Sequence, residues 1–371
     1  MLEALSSLFS LRWTNTQLFH PLPHNTTRTY ISTALRPADK LELLVSDPPQ
    51  KSTTPPILFL HGGLGHASVW LPFISHLAPT TQCYALSYRN HGASYTVSYL
   101  RMVYLTTVAD LTTDIIAAIT HIYFSTGQLP ILVAHSSAGG LAQHILSHKL
   151  ATTPGLVLLD AVPHFGNLGA YVNWAKHDPW CGLRMVAHAQ HVSSPLSTVA
   201  LVRGVFFGGG DTRRKALSDA EVEEFERWMP RYESMMWPMQ MFGSFWGWMR
   251  GRPRWLSVRD VLGGIRGDVR VLTKGGGGVE RVCVMVGEKD VLMDVGMCRR
   301  VADEFREGIR SMGVDDRQDD VEGVLERDEE KIVERKGGVR FVVIKGAGHH
   351  SQNDVQWDIA AEELRKFIVQ L

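Results

Sequence analysis

The 371-residue chain has no surplus of either charge: 38 Lys plus Arg stand against 38 Asp plus Glu. Nucleic acids and anionic membranes are gripped mainly through a basic excess, so neither is an expected partner. Cysteine is scarce, with four residues at 83, 181, 283 and 298 and no C-x-x-C pair. That spacing reads as reduced, mostly buried thiols rather than a disulfide framework or a zinc site. No apolar run reaches the roughly 18 residues that a membrane-spanning helix needs. Met1 to Leu11 is mildly apolar but carries Glu3, lacks a basic start and is followed by no small-residue cleavage site. It reads as a local helix or lid contact rather than a signal peptide. The C-terminal Val-Gln-Leu is not a peroxisomal tripeptide, and a cytoplasmic location is expected. Gly275 to Gly278 sit in neither GxxxxGK[ST] nor GxGxxG, which sets aside a phosphate loop. His188 and His191 lie one helical turn apart without a third ligand, so no metal is expected, and no cofactor is expected either. There is no internal repeat.

What the chain does have is alternation of short apolar runs with helical periodicity. Lys40 to Ser46 reads as an early strand, followed by Ile57 to Leu60, Cys83 to Leu86, Ile131 to Ala134 and Leu156 to Leu159. Continuous apolar runs of this length suit strands covered on both faces. Between them, Val69 to Leu77 reads as helical with Pro72 tolerable in its first turn. Leu111, Ile115, Ile119 and Ile122 mark a helix over Val108 to Tyr123 that Gly127 stops. Strands alternating with helices predict a mostly parallel sheet. The alternation breaks over 163–280, which holds seven of the ten tryptophans (Trp174, Trp180, Trp228, Trp237, Trp246, Trp248, Trp255) and the methionines Met235, Met236, Met239 and Met241. Asp219 to Met229 is its clearest helix, capped by Ser218 or Asp219. The sheet pattern resumes at Val282 to Val286, then a helix over Val295 to Ile309, a last strand at Val339 to Ile344 and an amphipathic helix from Asp354 to Val369. Residues 313–338 are dominated by Asp, Glu, Arg and Lys and read as a solvated insertion with the composition of a disordered segment.

The apolar run 131–134 meets His135-Ser136-Ser137-Ala138-Gly139-Gly140 and opens a helix. A serine at the apex of such a sharp strand-to-helix turn exposes its hydroxyl, and small residues must flank it. Ser137 is disfavoured as the nucleophile because its frame puts the bulky His135 two positions before it. Serine is a weak nucleophile unless a base and a group orienting that base lie within reach. Of sixteen histidines, His349 sits in a glycine-flanked loop after the last strand, with His350 as its neighbouring rival. Asp290 follows the preceding strand in the same way, and Asp160, after Leu158-Leu159, competes with it. In an open parallel sheet such strand ends share one edge, where ligands bind, and the chain order Ser136, Asp290, His349 allows the three to meet. Negative charge developing on a tetrahedral carbon needs preset N–H donors. Ser137 N–H at the start of the helix is one, and Gly63, or alternatively Leu64, of His61-Gly62-Gly63-Leu64-Gly65 is the second.

With these residues in place the chain resembles an α/β-hydrolase. His61-Gly62-Gly63 with Trp70 downstream resembles the oxyanion loop, and Tyr88-Arg89-Asn90-His91-Gly92-Ala93-Ser94 resembles the R-G-H-G-x-S loop. Val133-Ala134-His135-Ser136-Ser137-Ala138-Gly139-Gly140 resembles the nucleophile elbow, Val286 to Asp290 the acid loop, and Gly346-Ala347-Gly348-His349 the histidine loop. The match spans about 30–160 and 281–371. It implies an eight-stranded, mostly parallel sheet flanked by helices, with a helical lid inserted after the sixth strand, where 163–280 falls. Residues 1–29 are then an N-terminal extension, 30–162 with 281–371 the core, and 313–338 a charged insertion within it. The elbow departs from the pattern at Ala134 and Ala138, and Asn90 replaces a usual glycine.

The combined reading is a serine hydrolase in which Ser136 attacks an ester, thioester or lactone of a bulky apolar or aromatic small molecule. His349 serves as base, Asp290 orients it, and Ser137 and Gly63 N–H hold the oxyanion. Leu64, His135, Trp237 and Met241 are candidate substrate contacts, the Trp/Met cluster serving as lid core, as an apolar wall, or as both. His61 and His91 are expected to shape loops. Serine at the elbow argues against the epoxide-hydrolase and dehalogenase chemistry that similar folds run from an aspartate. The alternatives are acyl transfer, C–C hydrolysis, or a non-hydrolytic protein that binds or shapes a ligand in the same pocket.

Overall fold

The computed structural model describes residues 21–33, 37–47, 54–188, 196–210, 213–230, 232–243, 255–267, 279–312 and 323–371. Met1 to Leu11, Trp246, Trp248, His191 and Gly275 to Gly278, singled out above, lie outside the described residues. Ten strands form one mixed sheet: β1 (Thr26–Ser32), β2 (Lys40–Ser46), β3 (Ile57–Leu60), β4 (Cys83–Leu86), β5 (Ile131–His135), β6 (Leu156–Leu159), β7 (Val282–Gly287), β8 (Val324–Arg327), β9 (Lys331–Lys336) and β10 (Val339–Ile344). Their spatial order is β1-β2-β4-β3-β5-β6-β7-β10-β9-β8. The centre, from β4 to β10, is parallel, and both margins are antiparallel.

Period two in the side chains explains why the central strands are apolar throughout. Leu58, Leu60, Leu132 and Ala134 face the cluster formed with helices Val108–Thr126, Ser137–Ser147 and Val295–Ser311. Ile57, Phe59, Ile131 and Val133 face the other cluster, with helices Leu71–Leu77 and Trp357–Ile368. The helix Val108–Thr126 begins in a reciprocal capping box between Thr107 and Asp110 and ends at Gly127, whose φ of 71° supplies the left-handed cap. Ser218 caps Asp219–Arg227 in the same reciprocal way with Glu221.

The expected eight-stranded sheet is corrected to ten. The described part of the charged segment 313–338 is exposed throughout β8 and partly buried in β9, and it forms strands: β8 and β9 extend the sheet beyond β10. Gly337 and Gly338, with φ of 58° and 75°, make the two-residue turn that reverses β9 into β10. A strand near a sheet edge meets water on much of its surface, so charge on it is compatible with pairing through the backbone and discourages further strand addition. Here the charges are also matched: Glu334 meets Arg299 at 2.7 Å, Arg335 meets Glu280 at 2.9 Å, and Lys331 meets Glu363 at 3.4 Å. β1 likewise crosses the expected boundary at residue 29 and pairs with β2 along its whole length.

Between β6 and β7 the chain leaves the sheet. Helices Leu168–His177, Cys181–Ala187, Val199–Phe206, Asp219–Arg227, Met236–Gln240 and Val258–Gly263 fill this interval. Among the described residues no helix is long and apolar enough to cross a membrane.

Candidate active site

The last residue of β5, His135, is followed by Ser136 at φ 53° and ψ −123°, and helix Ser137–Ser147 starts immediately after. Such backbone in a non-glycine residue costs on the order of 1–3 kcal/mol and persists only when its surroundings hold it. They do: Ser136 N–H donates to Leu159 O at 3.1 Å, and Ser136 O accepts from Gly139 N–H at 3.0 Å and Val162 N–H at 2.9 Å. Ala134 and Ala138 are fully buried on either side of the turn, which accommodates both methyl groups. Glycine is indispensable next door, since a Cβ on Gly139 would fall 2.4 Å from Ala161 Cβ and one on Gly62 would fall 2.7 Å from Ser136 Cβ. The first lets the helix press on the chain leaving β6, and the second lets the 61–65 loop abut the serine.

Sheet order puts the ends of β5, β7 and β10 on one edge, and three side chains converge there. His349 Nε2 lies 2.9 Å from Ser136 Oγ, and His349 Nδ1 lies 2.8 Å from Asp290 Oδ2. Asp290 Oδ1 accepts from Leu292 N–H at 2.7 Å and Met293 N–H at 3.0 Å, so both carboxylate oxygens are engaged and aimed. The histidine loop is pinned at its base, where Asp354 Oδ2 accepts from Gly348 N–H and Gly208 N–H, each at 2.7 Å.

The rivals do not reach this position. His350 packs its ring on Phe206 and Phe225, with centroids 5.3 and 4.8 Å away, and burial with neighbouring histidines holds it neutral well below the ordinary imidazole range. Asp160 is fully buried and its Oδ1 accepts from Gly287 N–H at 2.7 Å. Burial, then the nearby Asp290 charge, pushes its carboxyl well above the usual range. That favours a neutral acid rather than the anion needed beside a histidine.

The expected oxyanion donors flank the serine. Gly63, Ser136 and Ser137 line one cavity together with His349, and neither the Gly63 nor the Ser137 N–H is taken by another group among the described residues. Leu64 N–H, the alternative donor, is engaged, donating to Glu233 Oε2 at 2.9 Å. His61 shapes the loop as a neutral ring: its Nε2 accepts from Tyr88 N–H at 3.3 Å, so its Nδ1–H donates to Gly62 O at 2.8 Å. Asn90 takes φ of 67°, a left-handed conformation that asparagine tolerates better than most residues.

The cavity has a volume of about 520 Å³ and is walled largely by Tyr171, Trp174, Met185, Phe206, Trp237 and Phe242. Of the expected substrate contacts, Leu64 and Trp237 line it. His135 also borders it, but its Nε2–H donates to His349 O at 2.8 Å, so its work is to hold the histidine loop. Met241 is corrected: it is fully buried and packs toward Gly140, where a Cβ would fall 2.8 Å from its Sδ. Glu233 was missed, because it lies 169 residues from the loop it binds, in a stretch without motif or periodicity. Among the described residues no cluster of three or more His, Cys, Asp or Glu is arranged to hold a metal. Cys83, Cys283 and Cys298 are buried free thiols, and Cys181 is half-buried.

Three solved structures illustrate the likeness of the whole fold. A thermophilic esterase from Thermogutta terrifontis superposes with a TM-score of 0.54 at 15% identity, covering 93% of this chain and 98% of the other. A membrane phospholipase A, described as a bacterial virulence factor, gives 0.53 at 14%, covering 93% and 86%. A variant meta-cleavage product hydrolase gives 0.51 at 14%, covering 92% and 98%. No curated protein matches this sequence. The family model described as "Alpha/beta hydrolase family" matches residues 57–362, a span that runs from β3 through the nucleophile turn, the acid loop and the histidine loop, and the chain therefore belongs to the α/β hydrolase family.

Proposed function

We propose that this protein is a serine hydrolase that cleaves an ester, thioester or lactone of a bulky apolar small molecule through an acyl-enzyme on Ser136. The observation that carries the reading is the relay Asp290 to His349 to Ser136, at 2.8 and 2.9 Å. Asp290, acting as acceptor, takes the Nδ1–H of His349, which leaves Nε2 as a lone pair facing the serine hydroxyl. As Ser136 Oγ bonds to the carbonyl carbon, Nε2 takes its proton, and the carbonyl π electrons move to oxygen between the Gly63 and Ser137 N–H groups. Collapse re-forms the carbonyl and expels the alcohol or thiol, which takes its proton from Nε2. Water, deprotonated by the same nitrogen, then bonds to the acyl carbon, and collapse breaks the bond to Ser136 Oγ, which recovers its proton from Nε2 as the acid leaves.

The cavity supports an apolar substrate, since its wall is dominated by aromatic and methionine side chains. The segment 163–280 acts as the lid in this reading, because Trp174, Met185 and Trp237, which it carries, line the same cavity as Ser136. Labelling with a fluorophosphonate tests the nucleophile. Wild type is expected to label and Ser136→Ala to remain unlabelled; equal labelling of the two would refute the assignment. A panel of p-nitrophenyl esters, thioesters and lactones of increasing bulk then ranks the substrate classes, with apolar acyl groups expected to give the highest kcat/KM.

A further inference from the structure

Glu233 stands outside the relay yet sits at the cavity wall with every oxygen position engaged. Its Oε2 accepts from Leu64 N–H at 2.9 Å and faces His91 Nε2 at 2.9 Å. Its Oε1 accepts from Ser234 N–H at 2.8 Å and Trp237 Nε1–H at 3.2 Å. His91 is itself held from below, its Nδ1 facing Arg89 O at 2.8 Å, so that both ring nitrogens meet acceptors. One carboxylate from the insertion therefore ties together the His61–Gly65 loop, the Tyr88–Ser94 loop and the indole that roofs Gly63. The contact is close: a Cβ built on Gly63 would lie 3.3 Å from Trp237 Cζ2 and 3.8 Å from Glu233 Oε2.

Leu64 has φ of 61°, a conformation that a leucine does not choose unaided. The Leu64 N–H bond to Glu233 is the restraint seen there. With Leu64 N–H turned to the carboxylate, Gly63 N–H stays without an acceptor among the described residues, at the cavity that it lines with Ser136.

We propose that Glu233 is the positioning residue of the oxyanion site: it holds the His61–Gly65 loop so that Gly63 N–H faces the reacting carbonyl, and the site is therefore complete only while the inserted segment is seated. This rests on the serine-hydrolase reading above. The charge state agrees with the geometry. Burial works against an anion at Glu233, but the His91 charge and the N–H donors hold its carboxyl below the ordinary range. Burial likewise works against a cation at His91, yet Glu233 raises its pKa above the usual imidazole value.

The test compares wild type with Glu233→Met, which keeps the length of the side chain but has no carboxylate, and with Glu233→Gln, which keeps one acceptor. Kinetics on a p-nitrophenyl ester are read beside inhibition by an alkyl boronic acid, whose tetrahedral serine adduct mimics the oxyanion state. Loss of one oxyanion donor costs on the order of 100-fold or more in kcat, and misplacement without removal is expected to cost about 10- to 100-fold on the same scale. Glu233→Met is expected to lower kcat by that factor with KM within about threefold, and to weaken boronate binding in parallel. Glu233→Gln should fall between it and wild type in both measures. Unchanged kcat, a loss confined to KM, or a fall in kcat with boronate affinity intact would overturn the proposal. Should Glu233→Met fail to fold, Glu233→Gln decides alone: parallel losses support the proposal and wild-type values overturn it. Fluorophosphonate labelling of wild type against Ser136→Ala keeps the two questions apart, because a Glu233 result that overturns positioning leaves that contrast untouched.

Discussion

Replacing Asp290 with asparagine turns the relay into a sharp test, because the structure dictates which way the amide must lie. Asp290 Oδ1 faces two donors, Leu292 N–H and Met293 N–H, at 2.7 and 3.0 Å. An asparagine must put its carbonyl oxygen there, since its NH2 would leave two buried donors against a third. The NH2 then faces His349 Nδ1, 2.8 Å from the Oδ2 it replaces. That group only donates, so Nδ1 must present a lone pair and the proton moves to Nε2. His349 would then donate to Ser136 Oγ, 2.9 Å away, instead of accepting from it. The base is lost while the geometry stays. In a Ser-His-Asp triad this tautomer error costs about 10⁴ in kcat, or about 5.4 kcal/mol at 1.36 kcal/mol per tenfold. For Asp290→Asn we expect a fall of about 10³ to 10⁴ in kcat for p-nitrophenyl ester hydrolysis, with the thermal midpoint close to that of wild type. Fluorophosphonate labelling should slow in step. A well-folded Asp290→Asn protein retaining more than about a tenth of wild-type kcat would refute the reasoning and remove Asp290 from the relay.

The other acid behaves differently. Because burial and the Asp290 charge raise the Asp160 pKa, the folded state holds a proton that the unfolded chain releases near its ordinary value of about 3.9. Its stabilising effect is therefore complete below that value and is lost as pH rises through the raised folded pKa. Asp160→Asn lacks this loss, so its thermal midpoint relative to wild type should climb from pH 4 upward and its kcat should stay within about threefold at pH 7; a relative midpoint flat with pH, or a collapse in kcat matching Asp290→Asn, contradicts this. Gly62→Ala places a methyl 2.7 Å from Ser136 Cβ, and kcat should drop by about 100-fold or more if the oxyanion loop is displaced; ester kinetics at wild-type level would show that the loop is not part of the reacting site. Gly139→Ala places one 2.4 Å from Ala161 Cβ, an overpacking expected to cost about 1–3 kcal/mol in urea unfolding, and an unchanged midpoint would mean the helix shifts freely.

Much of this protein is decided locally. The five short apolar runs from Ile57 to Val286, the Thr107 and Gly127 signals around one helix, and the glycines beside Ser136 are consequences of nearest-neighbour chemistry, and they place strands, caps and a strained turn without reference to distant residues. The order Ser136, Asp290, His349 followed from the same local marks, since each lies just beyond the end of a strand. What sequence could not decide was any question of partnership. β8 and β9 were hidden because an edge hairpin is stabilised by backbone pairing and by charges on β7-side and helix neighbours, which period and hydropathy do not register. Asp160 and Asp290 look alike as residues just beyond strand ends; only packing tells a fully buried carboxyl that accepts from Gly287 N–H and has a raised pKa from one aimed at an imidazole. Met241 and Trp237 belong to one cluster in sequence, and the fold turns the first onto Gly140 and the second onto the cavity. Glu233 is the extreme case: a glutamate between a tyrosine and a serine carries no signal, and its four partners come from three separate stretches of chain. Local sequence determines which elements form and where a reactive turn can sit, because those depend on a residue and its immediate neighbours. Which donor faces which acceptor across the finished site is settled only when tertiary packing removes water and brings those groups within 3 Å.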